Sequence, residues 1–362
     1  MTVTIATPGA HMRAEIQEQP ARWLDFIVEQ RDAIEVAASV IRDTAPELIV
    51  FAARGSSDHA AMYGQYLTHN VLGIPAMLAT PSTVTAFGTQ LRYPKTVMLA
   101  ISQSGESPDL LETVRATKRA DVPVIAFTNN SASPLADLGD VHVALTAGIE
   151  YSVAATKTYT AELLALHAVL LRASDISWEQ LRDHITVVAQ AAQALIAEGE
   201  LAVADLARSL VDNERVVIVG RAYSMSSAKE GALKLTETNS IAASGWSVAD
   251  AKHGPLGQVI KGTPVILLTA SPGGRESVES FVADVHSLGG RPIVIGSALS
   301  SAETLSAAET LPLPSLDWPS LEPQLIPLLE IIPLQQLALA LALARNKNPD
   351  TPAGLLKVTQ TH

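Results

Sequence analysis

Two stretches of this 362-residue chain gather side chains able to do chemistry. The first is Ser102-Gln103-Ser104-Gly105-Glu106-Ser107. It follows the apolar run Val97–Ile101. It precedes Pro108 and the helically spaced Leu110, Leu111, Val114 and Ala116. The pattern predicts strand, hydroxyl-rich turn, helix. Gly105 permits a tight turn, and Pro108 suits the first turn of a helix, where its missing N–H costs nothing. Three hydroxyls, one amide and the unpaired N–H groups of a helix start make a pocket for an anion, most simply a phosphate. The turn contains no Lys or Arg, so its donors are neutral. An ordinary βα loop with a serine cap has the same composition, and this stretch alone leaves both readings open.

The second stretch is Gly220–Gly257. Glu230, Lys234 and Glu237 stand at i, i+4 and i+7, on one face of a helix. By itself that spacing describes a solvated Glu–Lys pair worth a few tenths of a kcal/mol. His253 lies in Ala251-Lys252-His253-Gly254-Pro255, a loop with turn chemistry. Lys357 sits near the end of the chain, where a lysine is ordinarily a solvated charge.

The elements that must position these groups follow from the patterning. A hydrophobic content of 48% with 17% charged residues is ample for two domains. The formal charge of −12 argues against nucleic acid as a partner. There are no cysteines, which excludes disulfides, thiolate catalysis and cysteine–metal sites. Met1–Ala10 shows no secretory signal, and Ile326–Ala344, interrupted by Pro327, Glu330, Pro333, Gln335 and Gln336, reads as a buried helix rather than a membrane span. The expectation is a soluble cytoplasmic protein with no membrane partner.

Residues 11–43 read as a helical arm broken at Pro20. A repeat follows. Glu47–Gly55 resembles Glu214–Ala222, Thr96–Ile101 resembles Thr263–Leu268, and Pro123–Phe127 resembles Pro292–Gly296. The order is kept at a spacing of roughly 170 residues, the mark of a duplicated unit. Apolar strands alternating with helical stretches imply α/β units with parallel sheets covered by helices on both faces. Ligands in such sheets sit beyond the carboxyl ends of the strands. In the first unit those ends carry Arg54-Gly55-Ser56-Ser57, Ser102–Ser107 and Thr128-Asn129-Asn130. In the second they carry Gly220-Arg221-Ala222 and Ser271-Pro272-Gly273-Gly274. Residues 176–211 read as a helical connector, and Pro333–Arg345 as a closing helix. The expected organisation is an arm over 1–45, units over 46–197 and 198–345, and a tail over 346–362 that composition would call disordered.

Together these motifs resemble the sugar isomerase (SIS) domain family, in the tandem form found in the isomerase part of glucosamine-6-phosphate synthase. The resemblance rests on Met12–Pro20, Gly55-Ser56-Ser57, Ser102–Ser107, Val153-Ala-Ala-Thr-Lys157, Glu230-Gly-Ala-Leu-Lys-Leu235, Glu237, Lys252-His-Gly-Pro-Leu256 and Asp350-Thr-Pro352 with Lys357. It implies two tandem doubly wound, flavodoxin-like domains and a sugar-phosphate substrate. By the same resemblance Ser57, Ser102, Gln103, Ser104 and Ser107 would hold the phosphate, and Val153 would contact the sugar. Glu237 would carry a proton between C1 and C2, and Lys234 would orient the site. His253, from the partner of a homodimer with shared active sites, would open the ring. Lys357 would meet the open-chain carbonyl, so the tail is expected to close over the site. No cofactor and no metal is implied. A carboxylate facing both carbons suffices for aldose–ketose interconversion, and a group titrating near neutrality suits ring opening.

The departures from the synthase matter as much. Arg54 stands where the synthase has a small residue, and either contact with the phosphate or a pair with a surface carboxylate is open to it. Ala155 replaces a serine, Ala242–Trp246 replaces a more polar run, and Leu356 replaces an alanine. The glutaminase domain has no counterpart in these residues. The expectation is therefore a phosphosugar isomerase/deaminase giving a ketose 6-phosphate and ammonia. A deglycase for fructosamine phosphates and a plain aldose–ketose isomerase stay open. A sugar-phosphate sensor fits less well, since residues 1–45 are too short and acidic for a DNA-binding helix-turn-helix, and a sensor has no need of Glu237, His253 and Lys357.

Overall fold

The structure is a computed structural model that describes residues 7–296, 308–311 and 321–357. It opens with α1 (Ala10–Glu29) and α2 (Arg31–Thr44). The break expected at Pro20 is absent: α1 runs through Pro20, and the helices separate at Gln30. An internal proline costs a helix about 3 kcal/mol. Met12, Ile16, Trp23 and Phe26 on the same helix are each at most 2% exposed. Burial of each contributes roughly 1.5–3 kcal/mol, which outweighs the proline.

The first sheet is assembled from β1 (Leu48–Ala52), α3 (Ser56–Leu67), β2 (Ala76–Leu78), α4 (Pro81–Thr85), β3 (Thr96–Ser102), α5 (Pro108–Lys118), β4 (Val124–Thr128), α6 (Pro134–Leu138) and β5 (Val141–Ala144). Its strands are parallel in the order β2-β1-β3-β4-β5. Two long helices follow, α7 (Lys157–Ala173) and α8 (Trp178–Ser209). The second sheet comes from β6 (Arg215–Gly220), α9 (Ser224–Asn239), β7 (Ala242–Ser247), α10 (Val248–Ala251), β8 (Pro264–Leu268), α11 (Arg275–Ser287), β9 (Arg291–Ile295) and β10 (Glu309–Thr310), and the helix α12 (Ile326–Ala344) closes the series. Its order, β10-β9-β8-β6-β7, is the first order read from the other edge. Both are the doubly wound flavodoxin-like arrangement expected from the alternation.

The sheets belong to separate compact units. One draws on Gln19–Ile149, Lys157–Ala189 and Leu356–His362, the other on Met1–Glu18, Glu150–Thr156 and Gln190–Leu355. The division is therefore not a single cut in the chain. In the unit of the first sheet, Val50, Met98, Val124, Leu110 and Val114 form one apolar core. In the unit of the second, Val217, Val265, Val294, Phe281 and Val282 form another. The interrupted segment Ile326–Ala344 is a core helix, with every residue from Ile326 to Leu339 buried and Pro333 inside it. The tail is tied down around Asp350, while residues 353–356 are exposed. The Asp350 carboxylate is buried and accepts the His11 and Met12 backbone N–H groups at the start of α1, and the Asp350 carbonyl accepts the Val153 N–H. Residues 358–362 of the expected tail lie outside the described residues.

The duplication is visible in contacts. Ser57 at the start of α3 donates to Glu162 on α7 at 2.7 Å, and Ser224 at the start of α9 donates to Glu330 on α12 at 3.0 Å. A Cβ on Gly64 would lie 2.6 Å from Phe51 and 3.1 Å from Leu166. A Cβ on Gly231 would lie 2.6 Å from Leu334 and 3.2 Å from Ile218. These positions correspond at the repeat spacing of roughly 170 residues. In both halves a missing side chain lets the helix after the first strand approach that strand and the last helix closely.

Two tests follow from this geometry. Burial pushes Glu330 up to about 7, against the hydrogen bonds of Ser227 and Ser224, which lower it. The native state then holds a proton that the unfolded state releases above pH 4.5. Stability should fall by about 1.4 kcal/mol per pH unit between 4.5 and 7 and then level off. Glu330→Gln should flatten its share of that decline and raise the denaturant midpoint at pH 8 relative to pH 5; parallel profiles for the two proteins would refute the assignment. The second test uses Gly105, which has φ +69, and whose added Cβ would lie 2.2 Å from the Ser133 hydroxyl oxygen. Gly55 has φ +58 with open space around it. Gly55→Ala should cost about 1–2 kcal/mol of left-handed strain, and Gly105→Ala clearly more. Equal midpoints in urea would contradict the close packing of the turn.

Candidate active site

Register explains where the anion turn lies. Ser102 pairs with Thr128, so the carboxyl ends of β3 and β4 finish level, while β1 ends at Ala52 opposite Ala100, two residues earlier. The chain leaves β1 toward β2 on one side and reaches β3 on the other, which makes the β1/β3 crevice the switch point of the sheet. Ser57 and Ser102–Ser107 are delivered to this end of the sheet.

Within the turn, the Ser102 hydroxyl accepts the Gly105 N–H at 3.0 Å, and the Ser104 hydroxyl accepts the Glu106 N–H at 3.3 Å. An oxygen that accepts from the backbone keeps its own hydrogen to donate. Both hydroxyls therefore keep a hydrogen to donate. The Gln103 carbonyl accepts the Asn129 N–H at 3.1 Å, which links the turn to the end of β4, and its side chain is half-buried. Ser107 caps the 11-residue α5, and its carbonyl accepts the Leu111 N–H. Ser57 is buried, and its hydroxyl hydrogen is directed to Glu162. In this geometry it offers an anion an oxygen rather than a proton.

Sequence reasoning left a carboxylate partner of Arg54 open without naming it. Its guanidinium is ion-paired with Asp109 in the first turn of α5. Arg54 holds the Asp109 carboxyl below the usual carboxylate range, against burial, which pushes the other way. The signal available was Asp109 itself, an acid directly after Pro108 at the start of the turn's helix.

In the other unit, α9 carries a second cluster. The Lys234 ammonium is fully buried, 3.1 Å from Glu230 and 2.6 Å from Glu237. Burial disfavours its charge, but the pull of Glu230 and Glu237 outweighs it and raises its pKa. Lys234 is thus a fixed cation at neutral pH, unsuited to accept a proton. The face is not the solvated pair that the spacing alone suggests. Glu230 is buried, whereas the Glu237 side chain is 21% exposed, so the two carboxylates differ in reach. Val153 is half-buried in the same unit, its N–H held by the Asp350 carbonyl. His253 is exposed on its loop, its N–H bonded to the Asp250 carbonyl and followed by Gly254 at φ +144. Lys357 is half-buried and belongs to the unit of the first sheet. Among the described residues, no group of three or more His, Asp or Glu side chains is placed to hold a metal ion.

Chemically, one unit offers a hydroxyl-rich turn at a helix start beside an Arg–Asp pair. The other offers a carboxylate with partial access, backed by a locked ammonium. Comparison with known proteins places the chain among relatives. The chain is 33% identical over 360 residues to a glutamine–fructose-6-phosphate aminotransferase of Thermococcus kodakarensis, covering 96% of this chain and 57% of that relative. Its structure superposes with a TM-score of 0.81 and 27% identity on a protein of Silicibacter pomeroyi provisionally named a phosphosugar isomerase, covering 94% of this chain and 99% of the other. It superposes with a TM-score of 0.82 and 23% identity on the C-terminal domain of glucosamine-fructose-6-phosphate aminotransferase from Francisella tularensis, covering 94% and 98%. The SIS domain model matches residues 45–172 and 209–317, one segment for each parallel sheet. With both halves matched, the chain belongs to the SIS domain family.

Proposed function

We propose that the protein is a sugar-phosphate isomerase acting on an amino-sugar phosphate such as glucosamine 6-phosphate, with a ketose 6-phosphate and ammonia as products. The observation that carries this reading is the Glu230–Lys234–Glu237 cluster, a buried ammonium clamped between a buried carboxylate and a partly exposed one. A binding-only protein gains nothing from such a cluster, since an unpaired buried charge is costly and a paired one is at best neutral for stability.

The reaction follows from the residues. The Ser102–Ser107 turn takes the phosphate. His253 exchanges the proton that opens the ring and exposes the C1 aldehyde. Glu237 removes the C2 proton, and the electron pair shifts toward the C1 oxygen. The Lys234 ammonium, 2.6 Å from Glu237, holds that carboxylate in place. Return of the proton to C1 leaves an imine at C2, and water hydrolyses it to the ketone with loss of ammonia. A positioned carboxylate contributes about 10²–10⁴ in rate. The tail would close over the bound sugar, with Lys357 meeting the open-chain carbonyl.

Incubation with glucosamine 6-phosphate should release ammonia together with a ketose phosphate. Glu237→Gln has the shape of the native side chain and cannot act as a base. It should abolish exchange of the C2 proton with deuterated solvent while keeping a substrate-dependent rise in melting temperature. Retained exchange would rule Glu237 out as the proton carrier. The proposed assembly is a homodimer in which His253 serves the partner's site. Mixing Glu237→Gln with His253→Ala under subunit exchange should then restore activity toward about a quarter of wild type. No recovery with exchange verified by mass would mean that each chain completes its own site.

A further inference from the structure

Arg54 lies two residues past the end of β1, whose last residue Ala52 pairs with Ala100, two residues before Ser102 at the start of the serine-rich turn. Its Nη2 reaches Asp109, the second residue of α5. The Asp109 side chain is 11% exposed, whereas that of Arg54 is 43% exposed. The pair therefore brackets the turn, with the acid sunk into the helix start and the guanidinium at the surface.

Asp109 poses an electrostatic problem. A carboxylate in the first turn of a helix favours the helix dipole. The same charge repels a phosphate bound at that terminus, and Arg54 offsets it. A guanidinium carries five N–H donors in a planar fork, so the bond through Nη2 leaves donors for a second anion. Asp109 also fixes the orientation of the fork, which reduces the side-chain entropy lost when an anion arrives.

We propose that Arg54, held by Asp109, is a substrate-binding residue that donates to the phosphate and sets the preference of the site for phosphorylated over unphosphorylated sugars. The proposal rests on the reading of Ser102–Ser107 as the phosphate seat.

Calorimetry with inorganic phosphate and with glucosamine 6-phosphate tests it, and glucosamine serves as the uncharged-tail control. Arg54→Ala should weaken both phosphates by about 10- to 100-fold and leave glucosamine unchanged. Arg54→Lys should fall between, because it restores charge without the fork. The double variant Arg54→Ala with Asp109→Asn decides between contact and neutralisation. Phosphate affinity that stays low supports direct contact. Recovery to wild type would mean that Arg54 only neutralises Asp109, and would overturn the proposal. Should Arg54→Ala lower the melting temperature, Arg54→Gln and Arg54→Lys carry the same comparison. Ser104→Ala separates this proposal from the reading beneath it. If Ser104→Ala loses phosphate affinity while Arg54→Ala keeps it, the inference about Arg54 is wrong. If neither variant changes it, the phosphate seat itself is misassigned.

Discussion

The buried ammonium of Lys234 is the constraint on which the chemistry of this fold depends. A lysine with no exposed surface is tolerated only where charges of opposite sign surround it. Here two carboxylates do so from the same helix, one turn before and one turn after. The pairing fixes three side chains at once and leaves Glu237 as the member with access to solvent. Replacement of Lys234 by a neutral side chain would leave the buried Glu230 carboxylate without its counter-charge, a loss of the order of 3–5 kcal/mol. Helix α9 is therefore committed to this cluster, and the close approach at Gly231 seats the helix against β6 and α12.

The duplicated scaffold explains how two ends of similar sheets came to differ. Both halves keep the strand order, a glycine at the helix–strand contact and a serine bonded to a buried glutamate. Both follow their first strand with an arginine and then a residue in the left-handed region, Gly55 at φ +58 and Ala222 at φ +53. These shared features hold the fold together. The parts that differ lie beyond the strand ends and on the helix after the first strand. One half has the serine-rich turn and an Arg54–Asp109 pair. The other has Ser271-Pro272-Gly273-Gly274, with Arg221 reaching the Ser247 hydroxyl at 3.4 Å, and α9 carries Glu230 and Lys234 where α3 carries Tyr63 and Leu67. Loops beyond a parallel sheet are a usual place for a scaffold to gain a site without losing its core.

Much was legible in the residues alone. Apolar runs of strand length alternating with helical periodicity force parallel sheets covered on both faces, because strands buried on both sides carry no polar alternation. The spacing of the repeat fixed the duplication, and Gly105 followed by Ser107-Pro108 fixed the turn and the helix start. These are local consequences of backbone sterics and side-chain periodicity, so a linear reading reaches them. Tertiary packing decided what local rules leave open. Pro20 continues a helix because burial on α1 outweighs one lost bond. The polar tail is held because Asp350 meets the unpaired N–H groups of α1 more than 300 residues away. Glu230 and Lys234 are a desolvated cluster rather than a surface pair, and Arg54 is joined to Asp109 instead of to solvent. Each of these depends on which distant groups arrive beside a side chain, and on whether water is excluded there. Spacing along the chain carries neither.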